Sequence, residues 1–188
     1  MDDRIQRVID ELDALGKQRD DAWQIPRVEG ELLHHIALST GARTIVEIGT
    51  SYGFSGLFWV AALRKTGGRL HTIDVDPKKY TSSRETFARA GVNDLVTGYL
   101  GDARQILASF PASPPIDLAF IDADKPSTRA YFDLVWPLLR VGGCVITDNA
   151  TTHRDELREF VRYVRGRADA SSAEVAVGNG IEWTIKTS

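Results

Sequence analysis

Short apolar segments alternate with segments of helical periodicity along most of this 188-residue chain. Five apolar segments have the length and composition of buried strands: TIVEIG, RLHTIDV, LVTGYL, IDLAFID and GGCVITDN. Each is followed by a segment whose apolar residues recur at helical spacing. Alternating strands and helices predict an α/β fold, in which a mostly parallel sheet carries helices on both faces.

The end of the chain departs from this alternation. Two extended segments, AEVAV and IEWTIK, are separated by the turn residues GNG, which predicts an antiparallel hairpin at the edge of the sheet. The predicted sheet therefore has seven strands. No repeat or low-complexity linker divides the chain, so we expect a single domain over residues 1–188, with residues 1–40 as an N-terminal helical cover.

Composition excludes several classes of protein. A net charge of −3 gives no electrostatic basis for binding nucleic acid or an anionic membrane surface. No apolar run approaches the roughly 20 residues of a membrane span, and the charged N-terminal segment is unlike a secretory signal. The single cysteine, Cys144, excludes an internal disulfide and a cysteine-based zinc cluster. The sequence predicts a cytoplasmic protein that binds neither nucleic acid nor membranes.

Polar side chains follow each of the five predicted strands at the point where the strand ends. In chain order they are Glu47 with a glycine-rich loop, Asp74, Asp102, the segment DADK at 122–125, and Asp148 with Asn149. Ligands of open parallel sheets bind outside the carboxyl ends of the strands. One acid in such a place is commonly a helix cap, but the repetition at every strand end favours a binding site.

The glycine-rich loop, VEIGTSYGFSG at 46–56, lacks the spacing of the dinucleotide fingerprint, because Ser51 occupies the position of its middle glycine. A carboxylate at Glu47 would repel a pyrophosphate, whereas it would accept a hydrogen bond from an amino group. Asp74, at the next strand end, is suited to bind two ribose hydroxyls. A nucleoside that carries an amino acid fits this pair, and S-adenosylmethionine is such a molecule. The alternative is that the glycines make only a tight turn and Glu47 caps a helix.

At these motifs the chain resembles the cation-dependent O-methyltransferases, the family that contains catechol and caffeoyl-CoA O-methyltransferases and many small bacterial members. The resemblance extends from about Val28 to the end and rests on EGELL, VEIGTSYGFS, TIDVDP, LGDA, FIDADK, GGCVITDN and VGNGI. The specific part is DADK at one strand end with DN at the next, since the glycine loop alone indicates only a methyltransferase. The resemblance implies a Rossmann-like class I methyltransferase fold.

The resemblance also implies roles for individual residues. The positions that match cofactor contacts are Glu47, Gly49, Thr50, Ser55, Asp74, Ala103, Asp124 and Tyr131. We add Ser51 from the same loop, and Asp102. Asp102 is expected either near the adenine or as the cap of the next helix. Asp122, Asp148 and Asn149 match the metal ligands. Lys125 matches the catalytic base, and Asp122 is assigned to the catalytic residues with it.

The ligand set is chemically consistent with a hard cation. Three oxygen ligands without histidine or cysteine suit Mg²⁺ or Ca²⁺, although Asp148 and Asn149 are also typical of a turn before a helix. A phenol has a pKa of about 10, so only about one molecule in a thousand is ionised at pH 7. A bound cation favours the anion, and a neutral Lys125 would accept a second proton. The alternative is a surface lysine paired with Asp122 or Asp124.

The expected acceptor is a small catechol-like or phenolic molecule. The segment before the matched motifs is only about 25 residues, shorter than in plant members, and Pro126 follows Lys125, which argues against a coenzyme A thioester. Three alternatives stay open: methyl transfer to nitrogen or another centre without a metal, a non-catalytic cofactor-binding module, and an NAD-linked oxidoreductase, against which Ser51 argues. The resemblance implies a homodimer, for which the amphipathic first helix is the expected contact. His153 is expected in a solvated loop or facing the substrate.

Overall fold

A single seven-stranded sheet forms the centre of the computed structural model, which describes residues 2–18 and 21–188. Its strands are β1 (Thr44–Ile48), β2 (Arg69–Asp74), β3 (Val96–Leu100), β4 (Ile116–Ile121), β5 (Leu139–Thr147), β6 (Ala170–Val175) and β7 (Ile181–Lys186). The spatial order is β3-β2-β1-β4-β5-β7-β6. β1 to β5 pair in parallel, and β7 runs antiparallel between β5 and β6. The sheet confirms the predicted Rossmann-like α/β fold with its C-terminal antiparallel hairpin.

The first strand of the hairpin differs in position from the prediction. The apolar pattern placed it at residues 173–177, whereas β6 begins at Ala170 and ends at Val175. Its polar first half is stable as a strand because the hydroxyl of Ser172 has hydrogen-bond partners on the opposite strand of the hairpin. The Ser172 hydroxyl donates to Glu182 Oε1 at 2.6 Å and lies 2.7 Å from the hydroxyl of Thr184. Such cross-strand bonds are invisible to a pattern of hydrophobicity.

Seven helices cover the sheet within the described ranges: α1 (Asp3–Gly16), α2 (Arg27–Ser39), α3 (Phe54–Thr66), α4 (Pro77–Ala90), α5 (Ala103–Ala108), α6 (Thr128–Val135) and α7 (Arg154–Arg165). Alternate side chains of a strand enter opposite faces of the sheet. Accordingly Ile45 packs into a core with helices α1 to α4, whereas Val46 packs into a second core with α5 to α7. Of these described helices, none is both long enough and apolar enough to cross a membrane.

The first helix uses its apolar face within the chain. Ile5, Val8, Ile9 and Leu12 are buried in the core that α1 shares with α3 and α4. This face is therefore not available to a second copy, and a dimer contact through the first helix stays a prediction that would have to use its exposed side. The predicted cover at 1–40 contains α1 and α2, and its residues 1, 19 and 20 lie outside the described part of the chain.

Candidate active site

A cavity of about 1160 Å³ lies at the carboxyl ends of the parallel strands. β1 and β4 are neighbours at the centre of the sheet, and the chain order reverses between them, which creates a crevice at this edge. The predicted site residues that line the cavity are Gly49, Ser51, Asp74, Asp102, Ala103, Asp122, Asp124, Lys125, Tyr131, Asp148 and Asn149. His153 lines it as well. Thus the strand ends converge on one cavity.

The glycine loop leaves β1 in direct backbone contact with the end of β4. Gly49 has a φ of +101°, and a Cβ at this position would lie 1.9 Å from the carbonyl oxygen of Asp122. Only glycine tolerates both the left-handed conformation and this approach. The loop is also fixed to β2, because the backbone N–H groups of Gly49 and Thr50 donate to the carbonyl of Ile73. The loop is thereby held against the strand ends on either side of it.

Asp74 connects the end of β2 to the glycine loop. Its Oδ2 accepts a hydrogen bond from the backbone N–H of Ser51 at 2.7 Å, and its Oδ1 accepts one from Asp76 at 2.8 Å. A carboxylate oxygen has two lone pairs, so each oxygen can accept one more hydrogen bond from a ligand. The Ser51 hydroxyl meanwhile donates to the carbonyl of Ala22, which attaches the N-terminal cover to the loop.

Glu47, near the end of β1, lies within a network of hydrogen bonds. It is fully buried and is not among the residues that line the cavity. Its Oε1 accepts hydrogen bonds from Ser55 and Trp59, and its Oε2 accepts one from Thr72. Thr50 joins this network through Thr72 at 2.5 Å. Thr50 and Ser55 are likewise engaged beneath the loop, and the contact of Glu47 with an amino group stays a prediction.

The protonation of Glu47 gives a test of this network. Burial raises the pKa of Glu47 to about 7, against the hydrogen bonds from Thr72, Ser55 and Trp59 that lower it. The folded state then binds the proton more tightly than the unfolded chain, so the contribution of Glu47 to stability is complete below about pH 4 and is lost as the pH rises to 7. Urea unfolding between pH 5 and 8 should show the free energy of unfolding of the native chain falling by about 2 to 3 kcal/mol relative to Glu47→Gln. Parallel curves for the two proteins would contradict this assignment.

The acids at the ends of β4 and β5 lie side by side. Ile121 pairs with Thr147, so the next residues, Asp122 and Asp148, continue adjacent strands that are about 4.8 Å apart. Burial, and then the negative charge of Asp148, raise the pKa of Asp122 to about 7, while the charge of Lys125 opposes the rise. The Lys125 ammonium lies 3.5 Å from Asp122 Oδ1 and donates to the carbonyl of Ala123 at 2.9 Å.

These residues fit the demands of a hard cation. A positive ion would relieve the repulsion between Asp122 and Asp148. The side-chain N–H of Asn149 donates to the Thr152 hydroxyl at 3.1 Å, which leaves the amide oxygen of Asn149 as an acceptor. Within residues 2–18 and 21–188, no three His, Cys, Asp or Glu side chains form a group that would hold a metal. A cation at this place would therefore depend on Asn149 as its third protein ligand.

The opposite wall of the cavity is formed by the starts of α5 and α6. Tyr131 donates to Asp124 Oδ1 at 2.6 Å, and burial together with this bond raises the pKa of Tyr131 to about 12. Asp102 caps α5 and accepts bonds from the backbone and the guanidinium of Arg104. The structure thus shows the helix-cap alternative for Asp102, although its side chain also lines the cavity beside Ala103.

Two further residues at the site escaped the sequence analysis. Asn179, in the turn of the terminal hairpin, donates its side-chain N–H to Asp148 Oδ2 at 3.2 Å. Glu29, on α2, is fully buried, and its Oε2 accepts the backbone N–H of Asn179 at 2.9 Å. Burial and the charge of Asp148 raise the pKa of Glu29 to about 9. Its other oxygen, Oε1, is buried and has no hydrogen-bond partner. EGELL and VGNGI were recognised only as motifs, without a partner for either.

Comparisons with known proteins agree with this geometry. Residues 5–158 match the model of a family described as O-methyltransferase. The chain is 37% identical over 134 residues to a catechol O-methyltransferase of Mycobacterium tuberculosis, which covers 69% of this chain and 60% of the relative. It is 36% identical over 123 residues to a catechol O-methyltransferase of Niastella koreensis, which covers 64% of this chain and 55% of the relative. The chain therefore spans little more than half the length of these curated relatives.

The fold is similar to that of solved O-methyltransferases. The O-methyltransferase TomG from Streptomyces achromogenes, which is involved in tomaymycin synthesis and was solved in complex with S-adenosylmethionine, has a TM-score of 0.83 and 30% sequence identity. The superposition covers 100% of this chain and 91% of TomG. The family model and the overall superposition lead to the same assignment. The chain belongs to the O-methyltransferase family, as its DADK, DN and glycine-loop motifs indicated.

Proposed function

We propose that this chain is an S-adenosylmethionine-dependent and divalent-metal-dependent O-methyltransferase that acts on a small catechol-like or phenolic hydroxyl. The observation that carries the proposal is the register of β4 and β5, which puts Asp122 beside Asp148 in the cavity that Asp74 also lines. A methyl donor and a chelated acceptor would then share one cavity. Support for the two ligands comes from TomG, solved with S-adenosylmethionine, and from two relatives named catechol O-methyltransferase.

The donor is assigned to the half of the cavity between β1, β2 and β3. Asp74 would accept hydrogen bonds from two ribose hydroxyls, and the adenine would lie near Asp102 and Ala103. Glu47 stays a predicted contact of the amino group, and because its own network encloses it we expect a further acceptor among the acids that line the cavity. Asp124, which is held by the Tyr131 hydroxyl and by the backbone N–H of Ser127, is our candidate.

The acceptor is assigned to the half of the cavity at the ends of β4 and β5. Asp122, Asp148 and Asn149 would hold the cation, which when bound supplies a positive charge that favours an ionised hydroxyl. Lys125 lies 3.5 Å from Asp122, and in its neutral form it would accept the proton of a second hydroxyl. The rest of the rate gain comes from holding the reacting oxygen about 3 Å from the methyl carbon. We also propose that the chain is a single domain, that it is cytoplasmic, and that it forms a homodimer. The contact between the two copies would not use the apolar face of α1, which is buried within the chain.

Removal of divalent cations tests this function directly. Treatment with EDTA should lower the rate of catechol methylation at least tenfold, and added Mg²⁺ should restore it, because the hydroxyl then ionises less readily. Calorimetry with S-adenosylmethionine provides the control, since cofactor binding should persist without the cation. A rate that is unchanged by EDTA would exclude the metal mechanism. Cofactor binding without turnover of any phenol or vicinal diol would indicate a non-catalytic module.

A further inference from the structure

Glu29 stands out because a carboxylic acid is placed in the core without a counter-charge. It lies in the first turn of α2 and is fully buried. Within the described residues no lysine or arginine pairs with it, and one of its oxygens accepts no hydrogen bond. Burying a carboxylic acid without a hydrogen-bond partner for each oxygen costs free energy of folding. The mechanism described above makes no use of Glu29, so its contacts require an explanation.

The contacts of Glu29 are with the turn of the terminal hairpin, residues 178–180, which we call the hairpin turn. Glu29 Oε2 accepts the backbone N–H of Asn179 at 2.9 Å. Gly178 has a φ of +62°, and a Cβ there would lie 2.4 Å from the same oxygen. The helix and the hairpin turn are therefore packed so closely that a side chain at Gly178 would separate them.

The hairpin turn is bonded in turn to the loop that follows the end of β5. The carbonyl of Asn179 accepts the backbone N–H groups of Thr151 and Thr152, each at 3.1 Å, and the carbonyl of Gly180 accepts that of Ala150 at 2.7 Å. A Cβ at Gly180 would lie 2.0 Å from the Thr151 hydroxyl oxygen. The hairpin turn is thus held between α2 on one side and the loop after Asn149 on the other.

The last contact in this series reaches a predicted metal ligand. The side-chain N–H of Asn179 donates to Asp148 Oδ2 at 3.2 Å, and Asn179 lines the cavity. Partners that hydrogen-bond a ligating carboxylate fix its orientation, and removing such a partner typically weakens metal binding by about 10- to 100-fold. Orientation matters more where the ligands are few, as with two carboxylates and one amide.

We propose that Glu29 is a positioning residue, which fixes the hairpin turn against the loop after β5 and so holds Asp148 in the orientation that a divalent cation requires. The inference rests on the proposed function, because it assumes a cation between Asp122, Asp148 and Asn149. It assigns to the N-terminal cover a part in the acceptor half of the site, in addition to its attachment to the glycine loop through Ala22.

Mg²⁺ affinity, measured by calorimetry on the full chain, is the test. Glu29→Ala should weaken Mg²⁺ binding by about 10- to 100-fold and leave the affinity for S-adenosylmethionine within about threefold. Glu29→Gln keeps an acceptor for the N–H of Asn179 and nearly the same volume, so it should bind Mg²⁺ within about threefold of the native chain. Glu31→Ala is the matched control, since Glu31 is an exposed acid on the same helix and its side chain bonds only to Arg27 in the contacts described.

A double mutant tests the route through the hairpin turn. Asn179→Ala removes the bond to Asp148 while keeping the backbone N–H that Glu29 accepts, so it too should weaken Mg²⁺ binding. If the route is shared, the double variant Glu29→Ala/Asn179→Ala should lose no more affinity than the weaker-binding single variant. Unchanged Mg²⁺ affinity in Asn179→Ala, or a Glu29→Gln variant as weak as Glu29→Ala, would overturn the inference. A native chain that binds no Mg²⁺ would instead overturn the proposed function itself.

Discussion

Replacing Asp148 by alanine is expected to lower the kcat of catechol methylation by about 1000-fold, while the affinity for S-adenosylmethionine stays within about threefold. Asp148 is one of the two carboxylates at the acceptor half of the cavity, and its loss leaves Asp122 and the amide of Asn149. Stabilisation of an ionised oxygen by a cation contributes several kcal/mol, and about 4 kcal/mol corresponds to this change in rate. Steady-state rates and calorimetry with the cofactor provide the two measurements.

The control for this variant lies seven residues further along the chain. Asp155 is an exposed acid in the first turn of α7, and Asp155→Ala should leave the rate unchanged. Asp148→Asn keeps the volume and one oxygen, so an intermediate rate is expected. The metal assignment fails if Asp148→Ala retains the native rate. If the variant loses cofactor binding and turnover together, Asp148 contributes to the fold or the donor half instead.

The second large effect is expected at the other half of the cavity. Asp74→Ala should weaken the binding of S-adenosylmethionine by about 100-fold or more and leave Mg²⁺ affinity unchanged. A hydrogen bond to a charged group contributes about 1.5 to 3 kcal/mol, and two ribose hydroxyls would lose such a partner. The variant also removes the acceptor for the backbone N–H of Ser51, which loosens the glycine loop.

A neighbouring acid distinguishes a specific role of Asp74 from the general charge of the cavity. Asp76 caps α4 through bonds from the backbone N–H groups of Lys78 and Lys79. Asp76→Ala should cost about 1 kcal/mol of stability and change the cofactor dissociation constant by less than about threefold. Equal losses of cofactor affinity in Asp74→Ala and Asp76→Ala, measured by calorimetry, would remove the specific role of Asp74.

The convergence of the strand ends was predictable because parallel strands bring their carboxyl ends to one edge of a sheet. The surroundings of the Glu47 side chain were not predictable, because they depend on which face of the sheet the side chain enters. Glu47 enters the same face as Ile45, where it meets Ser55 and Trp59 on α3 and Thr72 on β2. Ser55 and Trp59 are four residues apart, so they share one face of a helix, and this spacing was the available signal.

The role of Glu29 lay beyond what a single sequence reveals. The hydrogen bond from Asn179 to Glu29 joins residues 150 positions apart. No local pattern relates a glutamate in a helix to an asparagine in a distant turn, since neither apolar periodicity nor turn propensity encodes long-range pairing. The glycines on both sides of Asn179 predicted a turn correctly. The contact between this turn and Glu29 of α2 is shown only by the three-dimensional structure.

The contact of Gly49 with the carbonyl of Asp122 has a consequence for ligand exchange. At this point the glycine loop, which we propose to bind the methyl donor, touches the backbone of Asp122, a proposed metal ligand, with no side chain between them. A ligand bound in one half of the cavity could therefore change the affinity of the other half for its own ligand through this backbone contact. Thermodynamic reciprocity requires any such influence to be equal in both directions, so a cation that tightened the grip on the methyl donor would itself be retained more strongly by that donor.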